Sequence, residues 1–406
     1  MKKSQTGSTV IVTSVPFPNG YAPANRIINY CNGFAGNKVS AKVVIIKPNQ
    51  EINNKGYEPR GTFDGISYIF PGKIVSGNDN LFIRKFQYIY SLVSSLCYLV
   101  YNYCLRKKAD FLIFYGFNPI IETILTITAK AFSLSIYREE SEYPFLFFNN
   151  SRLLSERFIT FLYVKIIYKY YAGFLVMTRP IRELLISLGV NEKKIIIINQ
   201  TVSMNRFRPG VENSGESDYF AFIGSLNQQK DGILTTLDAM SLVLKTHPNV
   251  KLKVAGYGSK EDLAIFKEKI VMLNLKKNVE FLGSLNAQKA IALIVNAIGL
   301  LSSRPESIQA EYGFPTKIAE YLATANPVIT TLTGELRFLL TNNVNAFIVS
   351  SNEQADFAER WLSLLNDREN AKRIGKNGQL LAKSNFDPVA QSKKILNFHA
   401  NGSCVT

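Results

Sequence analysis

The residues best placed to do chemistry lie between 311 and 331, in the stretch EYGFPTKIAEYLATANPVITT. Pro315 favours the start of a helix, and a helix that begins there leaves the backbone N–H groups of Thr316 and Lys317 available to an anion. About one turn further on, Glu320 places a carboxylate among apolar residues. Two interpretations stay open at this point: Glu320 is a solvated residue on one face of the helix, or it contacts the same ligand as the helix start.

Three other predicted strands in this half of the chain end in glycine. Gly224 ends the first strand, and Lys230, at the start of the predicted helix Asp231–Leu244, is positioned to meet a phosphate. Gly256 ends the second strand in a Gly-x-Gly turn. The third strand ends in Phe281-Leu282-Gly283, whose backbone could pair with the edge of a base. Each of these signals is weak alone, because glycine and lysine are common in the turns between strands and helices.

The elements that must position these residues alternate regularly between strand and helix. Such alternation predicts parallel sheets covered by helices on both faces. A polar linker, 206–218, interrupts the pattern, which then restarts. We therefore predict an α/β protein of two Rossmann-like domains, 1–205 and 206–387, with a ligand cleft between the carboxyl ends of the two sheets. A final helix at about 388–400 is expected to pack back on the first domain.

Composition and charge narrow the functional classes. The chain has 406 residues, of which 47% are hydrophobic and 19% charged, as in globular proteins rather than disordered ones. Its formal net charge is +16, and residues 1–203 hold 24 Lys and Arg against 12 Asp and Glu. A basic half suits nucleic acid, an anionic membrane or a polyanionic substrate. No basic recognition helix, zinc-finger pattern or RNP-like motif is present, so we expect no nucleic-acid partner.

Cysteine usage argues against a metal site. Four cysteines show no Cys-x-x-Cys pairing and only two histidines are available, so a zinc site is not expected. A reduced, cytoplasmic environment is the simplest interpretation. Residues 1–7 are polar and lead into a strand-like run, so we also expect no signal peptide.

One uncharged run, Phe86–Leu105, has the length of a membrane span and is bracketed by basic residues. It contains five Tyr, three Ser, one Gln and one Asn, which makes its transfer into lipid unfavourable compared with a run of Leu, Ile and Val. We favour a helix packed inside the first domain. Peripheral association with a membrane surface is the second interpretation, and a true span is the third.

The order and spacing of these motifs resemble the retaining glycosyltransferases of family 4, which have the GT-B fold, over essentially the whole chain. Gly224, Ser225, Lys230 and Gly232 resemble the family's first strand–helix turn, and Val279, Phe281 and Gly283 resemble its Val-x-Phe-x-Gly strand. The tail of its last motif is matched by Glu320, Ala323, Pro327, Val328 and Ile329. In the first half, Gly20 follows the first strand, as in the family.

The resemblance implies roles for these residues in binding a nucleoside-diphosphate sugar. Glu320 would accept hydrogen bonds from the ribose hydroxyls, and Lys230 would stabilise the leaving phosphate. The implied donor contacts are Gly20, Gly224, Ser225, Lys230, Gly256, Phe281, Leu282, Thr316, Lys317 and Glu320. Two departures stand out: Ser225 replaces a frequent phosphate-binding arginine, and the first motif glutamate falls on Tyr312, leaving Glu311 or Glu306 as the residue that contacts the donor sugar.

The resemblance also implies the reaction. In such enzymes the leaving diphosphate helps to deprotonate the acceptor, so positioning and charge stabilisation matter more than a protein base. Lys230, Glu311 and Glu142 are our candidate catalytic residues. Glu139 and Glu140 are further candidates, because they lie with Glu142 at the end of the same first-domain strand. The alternative for each of these three glutamates is a solvated acidic loop that pairs with Arg138.

The expected function is transfer of a sugar from a UDP- or GDP-linked donor to a glycan or lipid-linked acceptor in surface polysaccharide synthesis. We expect neither a metal nor a cofactor, since lysine and helix N-termini can neutralise the diphosphate. The expected location is cytoplasmic, peripheral on the inner face of the cell membrane. Two alternatives of the same fold stay open: a non-catalytic sugar-nucleotide-binding partner protein, and an epimerase acting on the sugar nucleotide.

Overall fold

The structure is a computed structural model that describes residues 7–18, 21–46, 58–73, 81–116, 118–143, 163–207, 218–349 and 353–402. Contacts between Cα atoms divide the chain into two compact units. Unit 1 comprises Met1–Thr201 and Pro388–Thr406, and unit 2 comprises Val202–Asp387. The boundary drawn from the sequence, between residues 205 and 206, lies four residues further along the chain. Most of the predicted linker, residues 208–217, is outside the described residues.

Unit 1 is built on one eight-stranded sheet in the order β3-β4-β2-β1-β5-β6-β7-β8. All neighbouring strands run parallel except β3 and β4, which form an antiparallel pair that the sequence analysis did not predict. The strands are β1 (Ser8–Thr13), β2 (Ser40–Ile45), β3 (Arg60–Phe63), β4 (Ile66–Ile69), β5 (Phe111–Tyr115), β6 (Ser135–Glu140), β7 (Gly173–Val176) and β8 (Ile195–Ile197).

The described helices of unit 1 begin at recognisable sequence signals. Asn118 accepts a hydrogen bond from Ile121 N, and Thr178 accepts one from Ile181 N, each with a proline in the first turn that follows. The helices are α1 (Tyr21–Gly36), α2 (Leu81–Leu99), α3 (Pro119–Ala131), α4 (Arg179–Ser187) and the C-terminal helix (Pro388–Gly402).

The C-terminal helix packs on α1. Gly33 makes this close approach possible, because a Cβ built there would lie 2.1 Å from Pro388 O. Asn37 Nδ2 also donates a hydrogen bond to Val389 O across 2.8 Å. The last helix of the chain therefore completes unit 1 although it follows unit 2 in sequence.

Unit 2 is built on a six-stranded, entirely parallel sheet in the order β11-β10-β9-β12-β13-β14. This is the 3-2-1-4-5-6 order of a Rossmann sheet, in which successive strands are added towards one edge from the first strand to the third and towards the other edge from the fourth strand on. Ligands of such sheets bind outside the carboxyl ends of the strands at that switch point, here between β9 and β12. The strands are β9 (Tyr219–Ser225), β10 (Lys251–Tyr257), β11 (Val279–Gly283), β12 (Gly299–Ser302), β13 (Val328–Thr331) and β14 (Phe347–Val349).

The helix predicted at Asp231–Leu244 is wrong at its start. Gly232 adopts the left-handed conformation with φ +74°, and a Cβ there would lie 1.7 Å from Ser303 O, so the chain turns at this glycine and a new helix begins after it. The helices of unit 2 are α5 (Gln228–Asp231), α6 (Ile233–Val243), α7 (Lys260–Met272), α8 (Ala287–Val295), α9 (Ile308–Tyr312), α10 (Thr316–Ala323), α11 (Leu336–Leu339), α12 (Gln354–Asn366) and α13 (Arg368–Asn385).

The uncharged run Phe86–Leu105 is helical throughout, as α2 followed by a wider helical turn at Val100–Leu105. Within the described ranges, no helix combines the length and the apolarity that crossing a membrane requires. One side of α2 is buried in unit 1, through Leu92, Ser95 and Leu99. The opposite side is exposed, so the prediction of a helix packed inside the domain holds for only one of its faces.

Candidate functional site

The loop after β9 is organised by a buried carboxylate, Asp231. Its Oδ2 atom accepts a hydrogen bond from Ser225 N across 2.6 Å. Its Oδ1 atom forms an ion pair with Lys317 Nζ, also at 2.6 Å. One side chain therefore holds the end of β9 and the first turn of α10 together. Ser225 is itself buried, and its hydroxyl accepts a hydrogen bond from Asn227 N across 3.2 Å, which further fixes the loop.

Two glycines make room for this arrangement. A Cβ on Gly224 would lie 2.5 Å from Lys317 Nζ and 2.7 Å from Asp231 Oδ2. A Cβ on Gly256, the neighbour of Gly224 in the sheet, would lie 1.8 Å from Gly224 O. The carboxyl ends of β9 and β10 therefore present bare backbone where any other residue would place a side chain.

Lys317, the partner of Asp231, feels the charges of two further cations, Arg304 and Lys230. Burial lowers the pKa of Lys317, the charge of Asp231 opposes that change, and the positive charges of Arg304 and Lys230 lower the pKa further. Lys230 itself is exposed, with Nζ 6.0 Å from the centroid of the Tyr257 ring. Three positive charges against one negative charge leave an excess that favours an anion, at the switch point where a Rossmann sheet binds its ligand.

Helix α10 points its N-terminus at the same place. Pro315 precedes its first turn, and no side chain of the described residues caps the helix, so the amides of Thr316 and Lys317 keep the free N–H character of a helix start. The buried Tyr321 fixes the helix against the sheet, because its hydroxyl accepts a hydrogen bond from Ile223 N across 2.7 Å. The predicted phosphate-binding helix start therefore lies beside Lys317.

Glu320 lies one turn along α10, half-buried, with its Oε1 3.7 Å from Arg206 Nη1. Burial raises the pKa of Glu320, and the charge of Arg206 partly offsets this. Its helix neighbours Ile318, Ala319, Tyr321, Leu322 and Ala323 are all buried, so Glu320 is the polar residue of an otherwise buried stretch. The ribose contact of Glu320 stays a prediction.

Glu311 is held by an arginine that the sequence analysis did not single out. Arg337 Nη1 donates to both carboxylate oxygens of Glu311, across 2.9 and 2.7 Å. Glu306 lies at the edge of the same guanidinium, 3.9 Å from Arg337 Nη2, and is largely exposed. Both candidates for the missing motif glutamate thus share one positive partner, and Arg337 holds Glu311 more closely than Glu306.

The acidic stretch at the end of β6 is not a uniform solvated loop. Glu139 is buried and pairs with Arg26 at 2.7 Å, while Tyr30 donates to its other oxygen at 2.8 Å. Glu142 is exposed beyond the strand end. The alternative of a solvated loop is therefore wrong for Glu139, because its buried carboxylate is paired with Arg26 and hydrogen-bonded to Tyr30.

The Glu140 carboxylate is likewise buried and paired with an arginine. It forms an ion pair with Arg138, which also pairs with Glu122, and Tyr168 donates to it at 3.1 Å. Glu122 in turn accepts from Tyr171 at 2.8 Å. This buried cluster ties α3 to β6 and leaves Glu142 as the glutamate of the stretch that solvent reaches.

The remaining predicted contacts fall into two groups. Phe281 packs on the core against Phe266, with ring centroids 5.4 Å apart, so only its backbone and that of Leu282 are available to a base. Gly20 lies outside the described residues.

The sequence analysis missed three residues of the site: Asp231, Arg304 and Arg337. The available signal for Arg304 was its position as a charged residue directly after a predicted strand of a parallel sheet. Nothing in the local sequence distinguished the other two.

Part of the chain matches a known family. Residues 203–381 match the sequence profile of the Glycosyl transferases group 1, which covers most of unit 2. An uncharacterised glycosyltransferase of Methanocaldococcus jannaschii is 26% identical over 174 residues, 42% of this chain and 45% of the relative. The chain thus aligns with less than half of the length of that curated relative.

Solved structures show the fold of the whole chain. Sucrose-phosphate synthase of Thermosynechococcus elongatus superposes with a TM-score of 0.73 at 14% identity, covering 98% of this chain and 100% of the other. HepE of Anabaena in complex with UDP superposes with a TM-score of 0.68 at 14% identity, covering 97% and 100%. The predicted fold, GT-B with two Rossmann-like domains, is confirmed.

We predict that Asp231→Asn lowers the free energy of unfolding by about 3 kcal/mol at pH 7, because it leaves the buried Lys317 ammonium without a carboxylate. Lys317 then titrates with a folded pKa further below the unfolded value of about 10.4, so stability should rise with pH until that value is reached. Chemical unfolding at pH 7 and 9.5, followed by fluorescence of Trp361, the single tryptophan and a buried residue of unit 2, measures both effects.

The double variant Asp231→Asn/Lys317→Met is the control, since it removes the charge that titrates and should abolish the pH dependence. An Asp231→Asn variant as stable as the wild type at pH 7 would show that this ion pair does not organise the loop.

Proposed function

We propose that the protein is a glycosyltransferase of the retaining family 4, which moves a sugar from a nucleoside-diphosphate sugar to a glycan or lipid-linked acceptor without a metal ion. The observation that carries the proposal is the cationic cluster of Lys230, Arg304 and Lys317 at the switch point of the unit 2 sheet. It lies within the segment that matches the glycosyl transferases group 1. HepE, whose fold is similar, is solved with UDP and with UDP-glucose, which supports a UDP-linked donor; a GDP-linked donor is the alternative.

The donor would bind with its diphosphate against Gly224, where the absent Cβ and the N-terminus of α10 leave space and N–H donors. Lys317 and Lys230 would supply the counter-charges. Glu320, one turn along α10, would accept hydrogen bonds from the ribose hydroxyls, with Arg206 as its partner when no nucleotide is bound. The base would meet the backbone at Phe281–Leu282. Glu311 would contact the donor sugar, oriented by Arg337.

In the proposed reaction the bond between the anomeric carbon and the β-phosphate oxygen breaks, and the acceptor oxygen forms a bond on the same face of the sugar. The acceptor proton passes to the departing diphosphate, so no protein base is required. Negative charge grows on the β-phosphate as the bond breaks, and cations already held in place stabilise it without reorganisation. Lys317 is held by Asp231, whereas the exposed Lys230 is free to follow the leaving group.

The acceptor side belongs to unit 1. Glu142, the exposed glutamate beyond β6, is the candidate to orient the acceptor, since the carboxylates of Glu139 and Glu140 are consumed by arginines. The basic charge of the first half of the chain favours an anionic or membrane-bound acceptor. We therefore propose a role in surface polysaccharide or glycolipid assembly, peripheral on the inner face of the cell membrane.

We predict that Lys230→Ala lowers turnover by about 100-fold, or about 2–4 kcal/mol in the barrier, because a charge opposite the developing diphosphate is lost. Lys230 is exposed and makes no buried contact, so the melting temperature should not change. Release of nucleoside diphosphate from a panel of UDP- and GDP-sugars, with and without a lipid-linked acceptor, measures turnover.

Lys260→Ala, at another exposed lysine of unit 2, is the matched control and should retain full turnover. Undiminished turnover of Lys230→Ala would remove the lysine from the mechanism. If the donor binds but no nucleoside diphosphate is released with any acceptor, the protein is a non-catalytic binding protein. If the sugar of the donor is converted without release of nucleoside diphosphate, the protein is an epimerase.

We predict that Glu320→Gln weakens binding of the nucleoside diphosphate about ten-fold, because the amide still accepts a hydrogen bond but loses its charge. The amide fills the same volume, and the melting temperature should stay within about one degree. Removing the 2′-hydroxyl from the nucleotide should cost less affinity in the variant than in the wild type. Calorimetric titration of both nucleotides into both proteins gives the four affinities.

Glu359→Gln, an exposed carboxylate of α12, controls for the loss of charge at a distance. If removal of the 2′-hydroxyl lowers the affinity by the same factor in the wild type and in Glu320→Gln, the carboxylate does not contact the ribose.

A further inference from the structure

An apolar stripe runs along the exposed side of α2 and the helical turn that follows it. Its members recur every three or four residues, the spacing of one helix face. Phe82 is 84% exposed and Phe86 is 72% exposed, values far above those usual for aromatic side chains. The other exposed apolar members are Ile89, Tyr90, Val93, Tyr101 and Leu105.

A second apolar stripe lies on α3, which packs beside α2 and the turn Val100–Leu105. Ile120, Ile124 and Ile127 are exposed at a spacing of four and three residues. The two helices therefore present neighbouring apolar stripes. We call them together the α2–α3 face. Exposed apolar side chains grouped on two neighbouring helices mark an interaction site rather than scattered exposure.

Among the described residues, the exposed charged side chains of α2, of α3 and of the stretch 106–108 are all positive. They are Lys85, Arg106, Lys107, Lys108 and Lys130. The segment Leu81–Leu105 contains no Asp or Glu. The single carboxylate of α3 is Glu122, which is fully buried and paired with Arg138. The face is thus apolar and aromatic along its length and cationic at its ends.

We propose that the α2–α3 face binds the surface of an anionic lipid bilayer, with both helices in the plane of the interface. Exposed Phe, Tyr and Ile side chains would enter the boundary between headgroups and acyl chains, and the basic side chains would meet lipid phosphates. A second copy of the chain fits less well, because two such faces would bring ten cations together with no exposed carboxylate on either helix. The proposal rests on the membrane location proposed above and is independent of the nucleotide site.

Flotation with vesicles of phosphatidylglycerol and phosphatidylcholine, compared with vesicles of phosphatidylcholine alone, tests this proposal. The wild type should float with the anionic vesicles at low salt and be released by high salt. Arg106→Gln/Lys107→Gln/Lys108→Gln should weaken binding by about 100-fold. Phe82→Ser/Phe86→Ser/Ile89→Ser should weaken vesicle binding at least about ten-fold. The fraction of this variant that still floats at high salt should also be lower than that of the wild type.

Matched variants on unit 2 control for charge and for apolar area. Lys260→Gln/Lys276→Gln/Lys277→Gln removes three exposed cations, and Val271→Ser/Met272→Ser removes two exposed apolar side chains. Both should float like the wild type. All variants alter exposed side chains, and their melting temperatures check folding.

Equal flotation of the wild type and of the two variants of the α2–α3 face would overturn the proposal, as would a wild type that binds anionic and neutral vesicles equally well. Self-association in solution that Phe82→Ser/Phe86→Ser/Ile89→Ser abolishes, without lipid binding, would assign the face to a second copy instead. Nucleotide titration separates this test from that of the proposed function, because the two variants of the α2–α3 face should bind the nucleoside diphosphate as the wild type does.

Discussion

The Asp231 carboxylate is the constraint on which the unit 2 site depends. It is buried, and it accepts from the backbone at the end of β9 while it neutralises Lys317 on α10. A buried charge is tolerated only when paired and hydrogen-bonded, so the carboxylate fixes two elements that are distant in sequence. The glycines around it follow from the same requirement, since a side chain at Gly224 would occupy the position of Lys317 Nζ. What a ligand meets is a positioned excess of positive charge beside a helix N-terminus.

Unit 1 uses its buried carboxylates differently. Glu139 and Glu140 end a central strand, the position where a parallel sheet usually offers functional groups, yet each is saturated by an arginine and by tyrosine hydroxyls. Arg26 extends this bonding to Ile198 O, which ties α1 to the far edge of the sheet. These pairs hold neighbouring elements of unit 1 together. Recognition by unit 1 is therefore expected from exposed groups: Glu142 at the strand end and the α2–α3 face.

The sequence was sufficient for the features that depend on local periodicity. Alternating apolar runs predicted the parallel sheets, and Pro315 predicted the start of α10. It was not sufficient where a residue's role depends on a distant partner. Nothing near Asp231 shows that Lys317, 86 residues away, returns to it, and the same holds for Glu311 and Arg337. The helix break at Gly232 was missed for a similar reason, because the close approach of Ser303 O comes from another strand. The glutamates at the end of β6 were predicted as a group, but Glu139 and Glu140 pair with arginines whereas Glu142 is exposed.

The most direct test of this account is a crystal structure of the protein with a nucleoside diphosphate bound. The account predicts phosphate oxygens within hydrogen-bonding distance, about 2.7–3.2 Å, of Lys317 Nζ and of the first amides of α10. Asp231 should remain paired with Lys317, and the ribose hydroxyls should lie on Glu320. A diphosphate bound away from the β9–β12 switch point, with the Gly224 backbone and Lys317 untouched, would contradict it.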